Sequence, residues 1–289
     1  MIRGSMVALT TPFCDDGSVN YNKLRELIKW HIVEESDGIV ILGTTAETPA
    51  LSITERDKIV EISIEAADKK IPIIVGSGSN NTLVAKEQSV KYEKMGADGL
   101  LVITPYYNKT NKAGMIYHFQ EIAEAVTIPM ILYNVPGRTG CSLSYEALEE
   151  LCQHKNIVGI KEASGDISFV SKIARLTGED FALYSGNDDM IVPLMSVGGV
   201  GVISVAANII PRIMHNLTMS FLHGEIGQAR ELQLKYLDFI NALFIETNPI
   251  PIKEAMNIAN MNVGKYRLPL YEMESSTREH LVKAMKVIM

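Results

Sequence analysis

Cysteine is scarce in this sequence, with three residues among 289 and no C-x-x-C spacing: Cys14, Cys141 and Cys152. This pattern argues against a disulfide framework and is typical of free thiols in a reducing compartment. The first residues include a short apolar stretch, but no signal-peptide core followed by a small-residue cleavage site. The sequence therefore predicts a cytoplasmic protein.

Basic residues are fewer than acidic ones: the sequence has 27 Lys and Arg residues and 34 Asp and Glu residues, and its net charge is −7. The basic residues are scattered, so a nucleic-acid partner is not expected. The six histidines form no H-E-x-x-H motif or other paired metal spacing. No Walker-type loop or G-x-S-x-G motif is present either, and the sequence predicts neither a metal nor an organic cofactor.

Long apolar runs are nearly absent, and only residues 190–211 lack charge over about the length of a bilayer span. Three glycines and Pro193 interrupt this segment. They favour a helix end, a turn and a buried strand over one transmembrane helix. No association with a membrane is predicted.

Short apolar runs recur along the chain, each followed by a polar or Gly/Pro cluster and then by an amphipathic stretch. This is the pattern of a repeated strand–helix unit. The runs are apolar on both faces, as parallel strands covered by helices require, and eight such units close a barrel. We therefore predict a (β/α)8 TIM barrel. The runs begin at Met6, Gly38, Pro72, Gly99, Pro129, Ile157, Phe181 and Gly201.

An open, doubly wound sheet is the alternative architecture. Such a sheet normally carries a Gly-rich dinucleotide turn after its first strand, whereas Pro12, Phe13 and Cys14 follow the first run here. A chain of 289 residues is long enough for one barrel with additional helices. The sequence predicts a catalytic barrel over residues 1–224 and a helical extension over residues 225–289.

Two helices have recognisable start signals. Asn20 precedes an amphipathic stretch, and Ser52 or Thr54 precedes another, in which Ser52 and Glu55 have capping-box spacing. In the extension, residues 225–244 and 276–289 each have the apolar spacing of a helix. We interpret all of these as scaffold.

The residues that close each run are the expected location of chemistry, because TIM-barrel active sites lie at the C-terminal ends of the strands. Lys161 directly follows the apolar residues 157–160, so its amine would project from a buried strand towards the barrel mouth. Desolvation disfavours a charged amine and favours attack on a carbonyl near neutral pH. A structural ion pair with Glu162 is the alternative.

Two further side chains are candidates on the preceding unit. Tyr133 ends the fifth strand, where it can transfer the protons that Schiff-base chemistry requires, or serve as a hydrogen-bonded core tyrosine. Arg138 follows on the next loop, where it can bind a carboxylate through two hydrogen bonds or lie on the surface. These residues alone do not name a substrate.

Thr44 and Thr45 follow the second run with hydroxyls suited to holding a small carboxylate or passing a proton. A helix cap is equally compatible with the sequence, because Thr44 and Glu47 have capping-box spacing. The residues alone leave both interpretations open.

Seven motifs lie in order along nearly the whole chain. They are GTTAETPALS from Gly43, VITPYYNK from Val102, ILYNVPGRTG from Ile131, IVGIKEASGD from Ile157, YSGND from Tyr184, GVISVAAN from Gly201 and NPIPIKEAM from Asn248. Their sequences, order and spacing resemble the dihydrodipicolinate synthase family of Schiff-base-forming aldolases.

The resemblance implies a 4-hydroxy-tetrahydrodipicolinate synthase, which condenses pyruvate with L-aspartate 4-semialdehyde in diaminopimelate and lysine biosynthesis. It implies that Lys161 forms the Schiff base with pyruvate and that Tyr133 donates and accepts protons. Thr44 and Tyr107 would complete a proton relay, with Tyr107 reaching in from a neighbouring subunit. A homo-oligomer is therefore implied, usually a tetramer built as a dimer of dimers.

The resemblance also implies substrate contacts. Thr45 would hold the pyruvate carboxylate, Arg138 would bind the carboxylate of the semialdehyde, and the backbone at Gly186 and Ile203 would line the pyruvate pocket. The loop around Arg138 is more similar to the synthase than to its relatives, an N-acetylneuraminate lyase or a 2-keto-3-deoxy sugar-acid aldolase, which are the enzymatic alternatives. A keto-acid sensor in which Lys161 only pairs with a carboxylate is the non-catalytic alternative.

Two departures from the family pattern stand out. Ala46 occupies a position that is often glycine, but both threonines before it remain. At the inhibitor pocket of lysine-sensitive relatives, histidines and a glutamate are replaced here by Ile53, Arg56 and Val84. We therefore expect weak or absent feedback inhibition by lysine.

Overall fold

The computed structural model of the protein describes residues 2–289 and contains a closed barrel of eight parallel strands. The strands pair in chain order, and the last pairs with the first. The predicted (β/α)8 barrel is confirmed, and an open sheet is excluded. The strands are β1 Gly4–Ala8, β2 Gly38–Ile41, β3 Ile73–Gly76, β4 Gly99–Ile103, β5 Met130–Asn134, β6 Ile157–Glu162, β7 Ala182–Ser185 and β8 Gly201–Ser204.

Seven of the predicted apolar runs contain one strand each, and the run that begins at Met6 overlaps β1. The main difference is at β1, which begins at Gly4 rather than at Met6. Gly4 and Ser5 have no apolar side chain, so hydrophobicity could not reveal them as strand residues. Gly4 pairs with Gly201 of β8, and the Ser5 N–H donates to the Asp37 carboxylate at 2.7 Å.

Two apolar layers result from the alternation of side chains along each strand. Outward-facing residues pack beneath the surrounding helices, while inward-facing residues fill the barrel. The inner layer is a packed core rather than a channel, and it supports the side chains at the barrel mouth. It comprises Met6, Ala8, Val40, Ile74, Leu101, Ile131, Tyr133, Val135, Ala182, Tyr184 and Ile203.

Helices follow the strands, and both predicted start signals are present. The Asn20 side chain accepts from the Lys23 N–H at 2.9 Å, and Ser52 and Glu55 form a reciprocal capping box. Each such cap contributes about 1 kcal/mol. The helices are α1 Tyr21–Val33, α2 Ile53–Ala67, α3 Thr82–Met95, α4 Lys112–Ala123, α5 Pro136–Thr139, α6 Tyr145–Leu151, α7 Ile167–Ile173, α8 Ile191–Met195, α9 Pro211–Leu222, α10 Ile226–Lys235, α11 Leu237–Ala242, α12 Ile250–Ile258 and α13 Ser275–Ala284.

The C-terminal helices α10 to α13 extend the barrel beyond its eight units. The apolar spacing over residues 225–244 predicts one helix, but the chain breaks at Tyr236 into α10 and α11. The pattern continues across this break because both helices bury apolar side chains, such as Ala229 and Phe239. Residues 245–267 then bring further buried polar side chains against the barrel mouth.

The uncharged segment at residues 190–211 contains α8, a turn and β8, as its glycines predict. Within residues 2–289, no helix combines the length and apolar character needed to cross a membrane.

Candidate active site

Lys161 lies near the end of β6, directly beside Tyr133 of β5 in the strand register. Its residue exposure is 5 %, and its Nζ lies 4.4 Å from the centroid of the Tyr133 ring. Paired residues on adjacent strands point to the same face of the sheet, so both side chains enter the barrel mouth. The structure therefore brings the predicted nucleophile and the predicted proton-transfer group together.

Glu162 does not pair with Lys161, because successive side chains on a strand point to opposite faces. Its carboxylate accepts from the Asn134 amide at 2.7 Å and from the Ser164 N–H at 2.6 Å. Burial raises the pKa of Glu162, and these hydrogen bonds act in the opposite direction. The structural alternative for Lys161, an ion pair with Glu162, is therefore wrong.

Gly186, at the end of β7, provides the space that Lys161 occupies. A Cβ atom at this position would lie 3.0 Å from Lys161 Cε and 2.6 Å from Ala163 Cβ. Real Cβ atoms essentially never come within 3.0 Å of another side chain, so a larger residue would force Ala163 to shift and would crowd the Lys161 side chain. This close approach is a physical reason for glycine in the YSGND motif.

Thr44 and Thr45 lie in the 3₁₀ turn Thr44–Ala46, directly after β2. The turn has no side-chain cap, so the capping-box interpretation of Thr44 and Glu47 is wrong. Instead, the Thr11 hydroxyl donates to the Ala46 carbonyl at 2.8 Å and holds the turn against the loop after β1. Both threonines remain available to the barrel mouth.

Asn248, before α12, connects two predicted substrate-binding residues. Its side-chain amide donates to Thr45 Oγ1 at 2.9 Å, and its backbone carbonyl accepts from Arg138 Nη2 at 2.9 Å. A guanidinium has five N–H donors, and this bond occupies one of them. The sequence assigned Asn248 no role, although it opens the NPIPIKEAM motif.

Two adjoining cavities open at the mouth. The smaller one has a volume of about 160 Å³ and is lined by Lys161, Gly186 and Thr45 among others. The larger one has a volume of about 320 Å³ and extends past Arg56, Val84 and Tyr106. Residues shared by both cavities include Thr44, Tyr133 and Arg138. Five of the predicted side chains therefore surround one small cavity: Lys161, Tyr133, Thr44, Thr45 and Arg138.

A buried ion pair that the sequence did not reveal lies behind the 3₁₀ turn Thr44–Ala46, which we call the threonine turn. Lys253 Nζ of α12 lies 2.9 Å from Glu47 Oε1, and both side chains are inaccessible to solvent to within 1 %. Burial lowers the pKa of Lys253 to about 8, although Glu47 acts in the opposite direction. Lys253 and Glu47 are 206 positions apart in the chain, so no local spacing predicts their contact.

A model of the dihydrodipicolinate synthetase family matches residues 1–288. The chain belongs to this family. A 4-hydroxy-tetrahydrodipicolinate synthase of Clostridium perfringens is 51 % identical over 276 residues, which cover 96 % of this chain and 94 % of the relative. The resemblance found in the motifs is thereby confirmed, as is the prediction that the chain is an enzyme of the lyase and aldolase type.

Solved structures of the dihydrodipicolinate synthase family share the fold closely. The chloride-inhibited enzyme of Acinetobacter baumannii, complexed with pyruvate, has a TM-score of 0.97 and 41 % identity, covering 99 % of each chain. The enzyme of Cyanidioschyzon merolae with lysine bound has a TM-score of 0.96 and 38 % identity, covering 99 % of this chain and 98 % of the other.

The family resemblance also gives roles to Tyr107, Ile203 and Gly186. None of these three adds a side chain to the cavity that the five side chains above surround. Tyr107 lies on the loop after β4 with 90 % of its surface exposed, and it lines neither cavity of the single chain. Ile203 is fully buried in the inner apolar layer with Tyr133. Gly186 lines the smaller cavity beside Lys161. The role of Tyr107 in a neighbouring subunit stays a prediction.

Proposed function

We propose that this enzyme condenses pyruvate with L-aspartate 4-semialdehyde to form 4-hydroxy-tetrahydrodipicolinate in lysine biosynthesis. The observation that carries the proposal is the buried Lys161 amine, 4.4 Å from the Tyr133 ring centroid, in a small cavity that Thr45 and Arg138 also line. A buried amine is a nucleophile for a ketone, and two carboxylate-binding groups suit two acidic substrates. The names of the relatives support the same reaction.

The first half of the reaction forms a Schiff base. The neutral Lys161 amine attacks the ketone carbon of pyruvate to give a carbinolamine, while the Thr45 hydroxyl donates to the pyruvate carboxylate. Tyr133 supplies a proton to the departing hydroxyl, so water is lost and an iminium ion forms. The Tyr133 phenolate left by this step then removes a methyl proton, which gives the enamine and restores the phenol. A positioned acid–base group typically accelerates such proton transfers by about 10²–10⁴-fold.

The second half forms the new carbon–carbon bond. The enamine carbon attacks the aldehyde of the semialdehyde, and Tyr133 protonates the developing alkoxide. Arg138 retains donors that can bind the semialdehyde carboxylate in a bidentate manner. The amino group of the second substrate then displaces Lys161 from the imine carbon, which closes the ring and frees the lysine.

The function is tested by incubating the protein with pyruvate and L-aspartate 4-semialdehyde and following product by mass spectrometry. We expect product only when both substrates are present. Arg138→Ala should raise the KM for the semialdehyde by roughly 10–100-fold, because a charge-assisted bidentate contact is lost, with a smaller effect on pyruvate trapping. Cleavage of a keto-deoxy sugar acid with little dependence on Arg138 would instead identify a sugar-acid aldolase.

Feedback regulation is expected to be weak. Arg56 and Val84 line the larger cavity, and the Arg56 guanidinium donates to the Thr48 carbonyl at 2.8 Å. A fixed positive charge there repels the ammonium groups of lysine. We expect submillimolar lysine to leave the steady-state rate unchanged. The Val84→Glu variant serves as the comparison, because it places a carboxylate on the same cavity wall as Arg56. Strong inhibition of the native enzyme would contradict this proposal.

We also propose a homo-oligomer, in line with the family. Apolar side chains near the mouth and on the loop after β4 are exposed in the single chain, including Ile53, Leu83 and Tyr107. Their burial against a second subunit would place Tyr107 where it can join the relay of Thr44 and Tyr133. Light scattering at micromolar concentration distinguishes a monomer from the expected tetramer.

A further inference from the structure

Lys253 is fully buried, and its ammonium uses three hydrogen bonds. They run to Glu47 Oε1 at 2.9 Å, to the Thr11 carbonyl at 3.2 Å and to the Lys265 carbonyl at 2.5 Å. The ammonium also lies 4.3 Å from the centroid of the Phe13 ring. Apolar residues of similar volume often serve stability as well as a buried ion pair does. The specific effect of the Lys253–Glu47 pair is to fix the positions of Glu47 and of the Thr11 and Lys265 carbonyls.

The group held most directly is the end of the Thr44–Ala46 turn. Glu47 follows this turn with a left-handed φ of +54°, which is costly for a residue other than glycine. The second carboxylate oxygen of Glu47 accepts from the backbone N–H of Arg267 at 3.0 Å. Both oxygens of Glu47 are thus bound by residues of the C-terminal segment, and these contacts oppose relaxation of the turn.

The same C-terminal segment orients the Thr45 hydroxyl. Because Thr45 Oγ1 accepts from the Asn248 amide, its own proton is free to be donated to a ligand. Asn248 lies just before α12, and Lys253 lies within α12, five residues further along the chain. One element therefore fixes both the backbone and the hydroxyl direction of the threonine turn.

We propose that Lys253 and Glu47 are positioning residues for the pyruvate site. Neither lines the smaller cavity, and both act through the backbone of the turn that bears Thr44 and Thr45. This inference rests on the proposed function insofar as Thr45 binds the pyruvate carboxylate. It makes the segment from Asn248 to Arg267 a working part of that site.

The test uses three variants of the full-length enzyme: Glu47→Gln, Lys253→Met and the double variant. The double variant removes both charges at nearly constant volume, so it covers the case in which a single variant leaves a buried charge and fails to fold. We expect the double variant to fold and to raise the KM for pyruvate by roughly tenfold or more, with a smaller change in kcat. Amide hydrogen exchange at residues 44–47 should accelerate in parallel.

A matched control lies outside this segment. Lys86 of α3 and Glu121 of α4 form an exposed ion pair with a 2.8 Å separation. The Lys86→Met/Glu121→Gln variant should retain the native KM for pyruvate and native exchange at residues 44–47.

The outcomes separate this inference from the proposed function. Native KM and native exchange at residues 44–47 in a folded double variant would overturn the positioning role, whatever the reaction. Faster exchange in a protein whose native form gives no pyruvate adduct would leave the role in holding the turn intact and reject the proposed function. Faster exchange with an unchanged KM would show that the turn does not bind pyruvate, and would overturn the inference as stated.

Discussion

Replacing Lys161 with alanine is expected to abolish the pyruvate adduct and to lower turnover by at least on the order of 10³-fold, as removal of a covalent nucleophile does. The native protein, treated with pyruvate and borohydride, should gain a pyruvate-sized mass that maps to Lys161. The physical reason is that Lys161 is the amine in the smaller cavity, where Gly186 leaves room for its side chain.

Two controls make the Lys161 result specific. Lys161→Arg introduces a guanidinium that stays protonated and cannot attack a ketone, so it should also give no adduct. Lys155→Ala removes an exposed lysine on the loop before β6 and should leave labelling unchanged. An unlabelled native protein, under conditions that label a known aldolase, would reject the Schiff base and favour the keto-acid sensor.

Tyr133→Phe is expected to lower kcat by roughly 10²–10³-fold, the usual contribution of a positioned acid–base group. The ring that contacts Lys161 remains in this variant, so borohydride should still trap pyruvate, although more slowly. Pre-steady-state trapping compared with steady-state turnover would separate the two steps.

Tyr184→Phe provides the comparison, because Tyr184 belongs to the same inner layer but donates to the Ile2 carbonyl at 2.7 Å. That variant should lose about 1 kcal/mol of stability and keep its kcat. If Tyr133→Phe behaved like Tyr184→Phe, the proton transfers would have to be assigned to another group.

Much of the fold could be predicted from sequence because its signals are local. Runs apolar on both faces gave all eight strands, and the caps at Asn20 and Ser52 depend on neighbours within three residues. The proximity of Tyr133 and Lys161 could be expected because each lies near the C-terminal end of its strand, and the two strands are neighbours in a parallel barrel. Gly4 and Ser5 were missed because they lack the apolar side chains on which the pattern depends.

The site was predicted less completely, for a physical reason. Thr45 and Arg138 both contact Asn248, which is more than 100 residues away in the chain, and Glu47 contacts Lys253. Periodicity and spacing carry no information about such distant contacts. The local spacing of Thr44 and Glu47 even favoured a cap that the structure does not contain.

The buried side chains of Asn248 and Lys253 have a consequence for engineering. A minimal barrel cut near residue 224 would retain the strands with Lys161 and Tyr133, but it would expose an unpaired Glu47. Chimeras that exchange C-terminal segments between relatives must therefore exchange the matching threonine turn as well. The transplantable unit in this enzyme is discontinuous in sequence, and it joins the second strand–helix unit to the last quarter of the chain.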